Sequence, residues 1–148
     1  FQYQLGLRGE YTDRRITSDK GGEESTINRF DVFPTFHLSR QFKNNHQVMA
    51  SYSRRIDRPR GWYLEPFTNY MNSTTLRRGN PDLQPEYVNS VEIGYQKSFG
   101  RSFIAFETYF KNTMNKIERI ITPYDSESNL ILMTFDNISD DLPDKLFN

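Results

Sequence analysis

Glu86-Tyr87-Val88-Asn89-Ser90-Val91-Glu92-Ile93-Gly94-Tyr95-Gln96-Lys97-Ser98-Phe99 is the stretch that decides the fold. Tyr87, Val91, Ile93, Tyr95 and Phe99 fall on one face. Ser90, Glu92, Gly94, Gln96 and Ser98 fall on the other. A period of two is a β-strand with one apolar and one polar side. The same pattern recurs outward in both directions. Over 1–13, Phe1, Tyr3, Leu5, Leu7 and Tyr11 share a face broken only by Gly9, opposite Gln2, Gln4, Gly6, Arg8, Glu10 and Thr12. Over 27–42, Phe30, Val32, Pro34, Phe36 and Leu38 oppose Arg29, Asp31, Thr35, His37 and Ser39, with Phe33 on the wrong side. Further strands are expected at 46–57 (Val48, Ala50, Tyr52, Ile56), 102–122 (Ile104, Phe106 and Phe110 opposite Glu107 and Lys111) and 130–138.

The connections sort by length. A polar loop at 14–26 is followed by a tight turn at Lys43-Asn44-Asn45. A long loop over 59–85 is followed by a tight turn at Gly100-Arg101 and a short polar loop at 123–129. Transmembrane barrels join their strands by short turns on one side and longer loops on the other. The pattern predicts an all-β, antiparallel up-and-down meander of about six strands, a section of a transmembrane β-barrel. Arg54 and Lys97 fall on apolar faces but near strand ends, where a cation costs only about 0–1 kcal/mol.

Composition excludes several classes. The chain has 148 residues, zero net charge and no cysteine. Zero charge removes a global attraction to nucleic acid. Without cysteine there are no disulfides, thiolate metal sites or thiol catalysis. Mean hydropathy is −0.79, and no run approaches the roughly 20 apolar residues of a membrane helix. Barrel strands escape that test because every second residue is polar.

The 59–85 loop is rich in aromatics and holds Pro59, Pro66, Pro81 and Pro85. Loops beyond roughly 12–15 residues are usually functional or disordered, and Trp62, Tyr63, Phe67 and Tyr70 argue against disorder. Ser51 to Pro59, Leu64-Glu65-Pro66-Phe67 and Gly79-Asn80-Pro81-Asp82-Leu83-Gln84-Pro85-Glu86 resemble the strand end and loop of TonB-dependent outer-membrane receptors of the Bacteroidetes barrel type. The opening Tyr3-to-Arg8 strand, Phe33-Pro34 and Asp136-Asn137-Ile138 follow in the same order. The resemblance implies an outer-membrane barrel with a plug domain and a TonB-contacting segment, importing a bulky nutrient without chemistry of its own. The chain opens at Phe1 inside a strand and has too few residues for a 22-stranded wall, so a partial barrel domain over 1–148 is expected. Its implied partners are outer-membrane lipid, the plug and the remaining barrel. TonB would be reached only through parts lying elsewhere, and an isolated section would self-associate through its open edges.

No catalytic, cofactor or metal constellation emerges. His37 and His46 stand alone, and Glu23-Glu24 and Asp140-Asp141 are short acidic pairs without a calcium-loop pattern. Two sets of residues remain as candidates. On the polar strand faces, Arg8, Glu10, Arg29, Asp31, Arg55, Glu92 and Glu107 are expected to face the lumen, either pairing across strands or contacting plug or substrate. In the loop, Trp62, Tyr63, Tyr70, Arg77 and Arg78 either bind ligand or brace the loop against itself, with bracing preferred for the motif aromatics. Two other readings stay open: a soluble β-sandwich binding carbohydrate through Trp62 and Tyr63, and a small complete outer-membrane barrel. The sandwich would seal Tyr3, Leu5, Leu7, Val91, Ile93 and Tyr95 in its interior.

Overall fold

The computed structural model describes residues 1–17, 24–125 and 129–138. Glu23, Asp140 and Asp141 lie outside the described residues, as does the tail from Ser139. Among the described residues there are nine strands and no α-helix. They are β1 (Gln2–Thr17), β2 (Glu24–Phe42), β3 (His46–Asp57), β4 (Thr68–Tyr70), β5 (Thr75–Arg78), β6 (Glu86–Phe99), β7 (Ser102–Met114), β8 (Lys116–Pro123) and β9 (Ile131–Ile138). One sheet has the order β1-β2-β3-β6-β7, a meander except for the excursion between β3 and β6. The second has the order β4-β5-β9-β8.

The all-β class is as expected, and the extra strands have identifiable causes. The run over 102–122 is not one strand. It breaks at Asn115, whose φ of 55° redirects the chain, so that β7 pairs in the first sheet and β8 in the second. The 59–85 loop is not irregular throughout. It contains a one-turn 3₁₀ segment, Gly61–Tyr63, and the β4–β5 hairpin. β1 and β2 continue into stretches read as loop from their polarity, because alternation vanishes where both faces are polar.

Register in the first sheet follows the alternation. Phe36 faces Tyr52 and Leu38 faces Ala50, while Thr35 faces Ser53 and His37 faces Ser51. A slip of one residue would turn every side chain to the opposite face, so the pattern excludes such a slip. The β2–β3 turn places Asn44 and Asn45 at φ 61° and 58°, and the β6–β7 turn places Gly100 at φ 62°. These are residues that tolerate left-handed backbone.

Two compact units are present: residues 1–12, 29–55 and 88–113, and residues 13–28, 56–87 and 114–148. In the first, Phe33 is the one buried large hydrophobic among the described residues. Leu7 is 76% exposed, Tyr3 and Leu5 71%, and Phe106 and Phe110 68%. In the second, Leu64, Leu83 and Phe135 form a buried cluster with Ile16, Trp62, Tyr63 and Ile117 packed on it. Leu76 and Met133 are also buried there. The long loop thus folds on a core of its own.

Gly79 shows how tightly that core is closed. Its amide donates to Glu65 O at 2.8 Å. A Cβ at this position would lie 2.5 Å from Tyr63 O, 2.6 Å from Glu65 O and 2.7 Å from Glu65 N, all backbone atoms, whereas one at Gly61 meets nothing within 4 Å. Gly79→Ala is therefore expected to destabilise by about 2 kcal/mol or more, and Gly61→Ala to stay within about 0.5 kcal/mol. Urea unfolding of the protein in lipid vesicles, followed by Trp62 fluorescence, separates the two.

Candidate functional site

The loop candidates do not form one group. Trp62 and Tyr63 sit in the 3₁₀ segment and turn inward. Their rings meet edge-on with centroids 4.1 Å apart, and Trp62 meets Phe135 of β9 edge-on at 5.3 Å. Tyr63 stacks on Phe135 at 4.1 Å and 27°. Arg77 of β5 lays its guanidinium over the Trp62 ring, 5.1 Å from the centroid, and its Nη2 lies 3.7 Å from Glu65 Oε2. Desolvated contacts of this kind are worth about 1–2 kcal/mol, so Arg77 holds the aromatic group from its open side.

Tyr70 and Arg78 stand apart from this cluster. Tyr70 is 74% exposed on β4, opposite Leu76 of β5. Arg78 donates from Nε to Thr68 Oγ1 at 3.0 Å across the hairpin. The tip between them is ordered: Met71 N donates to Thr75 O at 2.9 Å, and Thr74 N donates to Asn72 Oδ1 at 2.9 Å.

The polar face of the first unit holds the other candidates. Arg8 pairs with Glu10 at 3.0 Å and Arg29 with Asp31 at 3.0 Å. Both pairs run along a strand, between residues i and i+2 on one face. Arg8 also lies over the Phe33 ring, 4.9 Å from its centroid. This accounts for the misplaced Phe33, whose ring is covered by a cation and an alkyl stem. Gly6, Arg8, Phe33, Thr35, Ser53 and Arg55 border one shallow depression. Gln4, His37, Ser51, Glu92 and Glu107 border a second, where Ser51 Oγ donates to Glu92 Oε2 at 3.2 Å.

Phe135, Glu65 and Asn137 belong to the loop structure but were not picked out as site residues. The Asp136-Asn137-Ile138 motif and the Ile131, Met133, Phe135 alternation were the available signals. Among the described residues no three His, Cys, Asp or Glu side chains converge to hold a metal ion.

Asp31 is 6% exposed, and removing one partner of a buried ion pair costs about 3–5 kcal/mol. Arg29→Ala is expected to destabilise by about 3 kcal/mol, and the double variant Arg29→Ala/Asp31→Leu to regain most of that loss. Equilibrium unfolding in vesicles measures both, and equal losses in the two variants would remove the ion-pair account.

A model of the outer membrane protein beta-barrel family matches residues 1–142. No curated protein matches the chain.

Proposed function

The chain belongs to the outer membrane protein beta-barrel family and forms part of a barrel in the bacterial outer membrane, and from that premise we propose that the parent is a TonB-dependent receptor importing a bulky nutrient. The carrying observation is the placement of the loop motif. Leu64, Gly79 and Leu83, which the resemblance singles out, form or seal the core on which the 59–85 loop folds. The exposed apolar row of Tyr3, Leu5, Leu7, Ile93 and Phe106 supports contact with lipid. It also speaks against the soluble sandwich, which would have buried Tyr3, Leu5 and Leu7.

In this reading Arg8, Glu10, Arg29, Asp31, Arg55, Glu92 and Glu107 face the lumen and the plug of the parent. The ion pairs stiffen the wall, and the two depressions are where the plug or a passing substrate touches it. β1 and β7, the outer strands of the first sheet, take the neighbouring strands of the barrel. The chain has no catalytic role, and TonB acts through other parts of the parent.

Two measurements test this. With no native cysteine in the chain, Tyr70→Cys should react with a membrane-impermeant maleimide on intact cells. Asn44→Cys, in the tight turn, should react only after permeabilisation. The reverse pattern overturns the orientation. For import, loss of the receptor and loss of TonB should abolish uptake of the same members of a panel of radiolabelled glycans, peptides and siderophores. Loss of none with the receptor removed sinks the import reading.

A further inference from the structure

The Asp136-Asn137-Ile138 motif has no part in the reading above, yet the Asn137 side chain makes three bonds to backbone groups of other segments. Its Nδ2 donates to Gln84 O at 2.9 Å and to Asn115 O at 2.7 Å. Its Oδ1 accepts from Gln84 N at 2.8 Å. Both donor hydrogens and the acceptor of one amide are thus spent on the backbone of two other segments. One is the end of the Gly79–Glu86 motif. The other is the left-handed corner between β7 and β8, where the ladder is interrupted and Asn115 O has no β-partner to expect. Two further ties run between the same regions: Asn80 Nδ2 donates to Phe135 O at 3.2 Å, and Ile117 N donates to Glu86 Oε1 at 2.8 Å.

These ties lie at the base of the loop. Beyond them the loop is held by ring packing of Trp62 and Tyr63 on Phe135 and by the parallel pairing of β5 with β9, Thr75 to Arg77 against Ile131 to Met133. The ring and strand contacts all use β9, and Ile16 of β1 and Ile117 of β8 pack on the same core. At the base the Asn137 amide makes three of the five bonds named above.

We infer that Asn137 is a latch: the 59–85 loop opens and closes as a single body, and the closed state depends on the Asn137 amide. Other residues cannot reproduce it. Aspartate keeps the acceptor for Gln84 N but sets a carboxylate against the carbonyls of Gln84 and Asn115. Alanine removes all three bonds. Each lost bond is worth about 0.5–1.5 kcal/mol, so loss of the set raises the open population by about tenfold or more.

The test is hydrogen exchange on the whole protein purified from outer membranes into nanodiscs. In Asn137→Ala and Asn137→Asp, peptides across 59–85 should exchange together about tenfold faster, while peptides across 35–53 keep their wild-type rate. Asn72→Ala, at the hairpin tip, should leave the amides of Gly79 and Asn80 unchanged. In the unaltered protein these two amides should open with a common free energy, a readout that does not require a variant to fold. Unchanged exchange in both Asn137 variants overturns the latch. So does acceleration confined to residues 84–86 and 115–117, or spread evenly over the chain, or unequal opening energies for Gly79 and Asn80 in the unaltered protein.

Discussion

In a bilayer the backbone has no water to bond to, so every amide and carbonyl must find its partner inside the sheet. The rest of this structure follows from that constraint. It forces long, regular strands, tight turns at Asn44-Asn45 and Gly100, and one register between β2 and β3. It also removes the need for a buried apolar core in the first unit. The apolar side chains face outward, and what packs on the other side is polar: Arg29 on Asp31, and Arg8 on Glu10 and over Phe33.

The second unit is built instead on a buried apolar cluster. A loop of the length of 59–85 loses much conformational entropy when it is fixed. Here that loss is offset by burial of Leu64, Leu76, Leu83, Met133 and Phe135 and by stiff prolines, whose φ is set before folding. Side-chain-to-backbone bonds from Asn80, Glu86 and Asn137 close the base. The same chain therefore carries two solutions to stability, polar packing on one face of an open sheet and a buried apolar cluster.

The alternating runs were legible because a period of two survives any tertiary context that keeps one face apolar. That is why 46–57 and 86–99 could be read directly. The break at Asn115 was not legible, since Met114-Asn115-Lys116 interrupts an apolar pattern no more than Lys111-Asn112-Thr113 does. β4 and β5 were hidden for another reason. Thr68-Asn69-Tyr70 and Thr75-Leu76-Arg77-Arg78 are too short to show a period; β4 pairs only with β5, and the other partner of β5 lies more than fifty residues away in β9. The site followed suit. Trp62 and Tyr63 stood out as aromatics, but that they meet Phe135 rather than open solvent depends on this remote pairing. The ring stack settles their packing, while Tyr70 and Arg78, on the hairpin, keep their side chains apart from it.

The parallel β5–β9 pairing also sets an order of events in folding. Hairpins such as β2–β3 close over short distances and form early, whereas a pairing across such a separation waits for a much larger entropy loss. Leu76 cannot be buried, nor Trp62 meet Phe135, until β9 has been laid down against β8. The 59–85 loop is thus expected to assemble after the strands that flank it have paired. Until then its aromatic residues are exposed outside the cover that will hold them, which makes the unfinished loop the stretch most open to proteolysis and to mispairing during biogenesis.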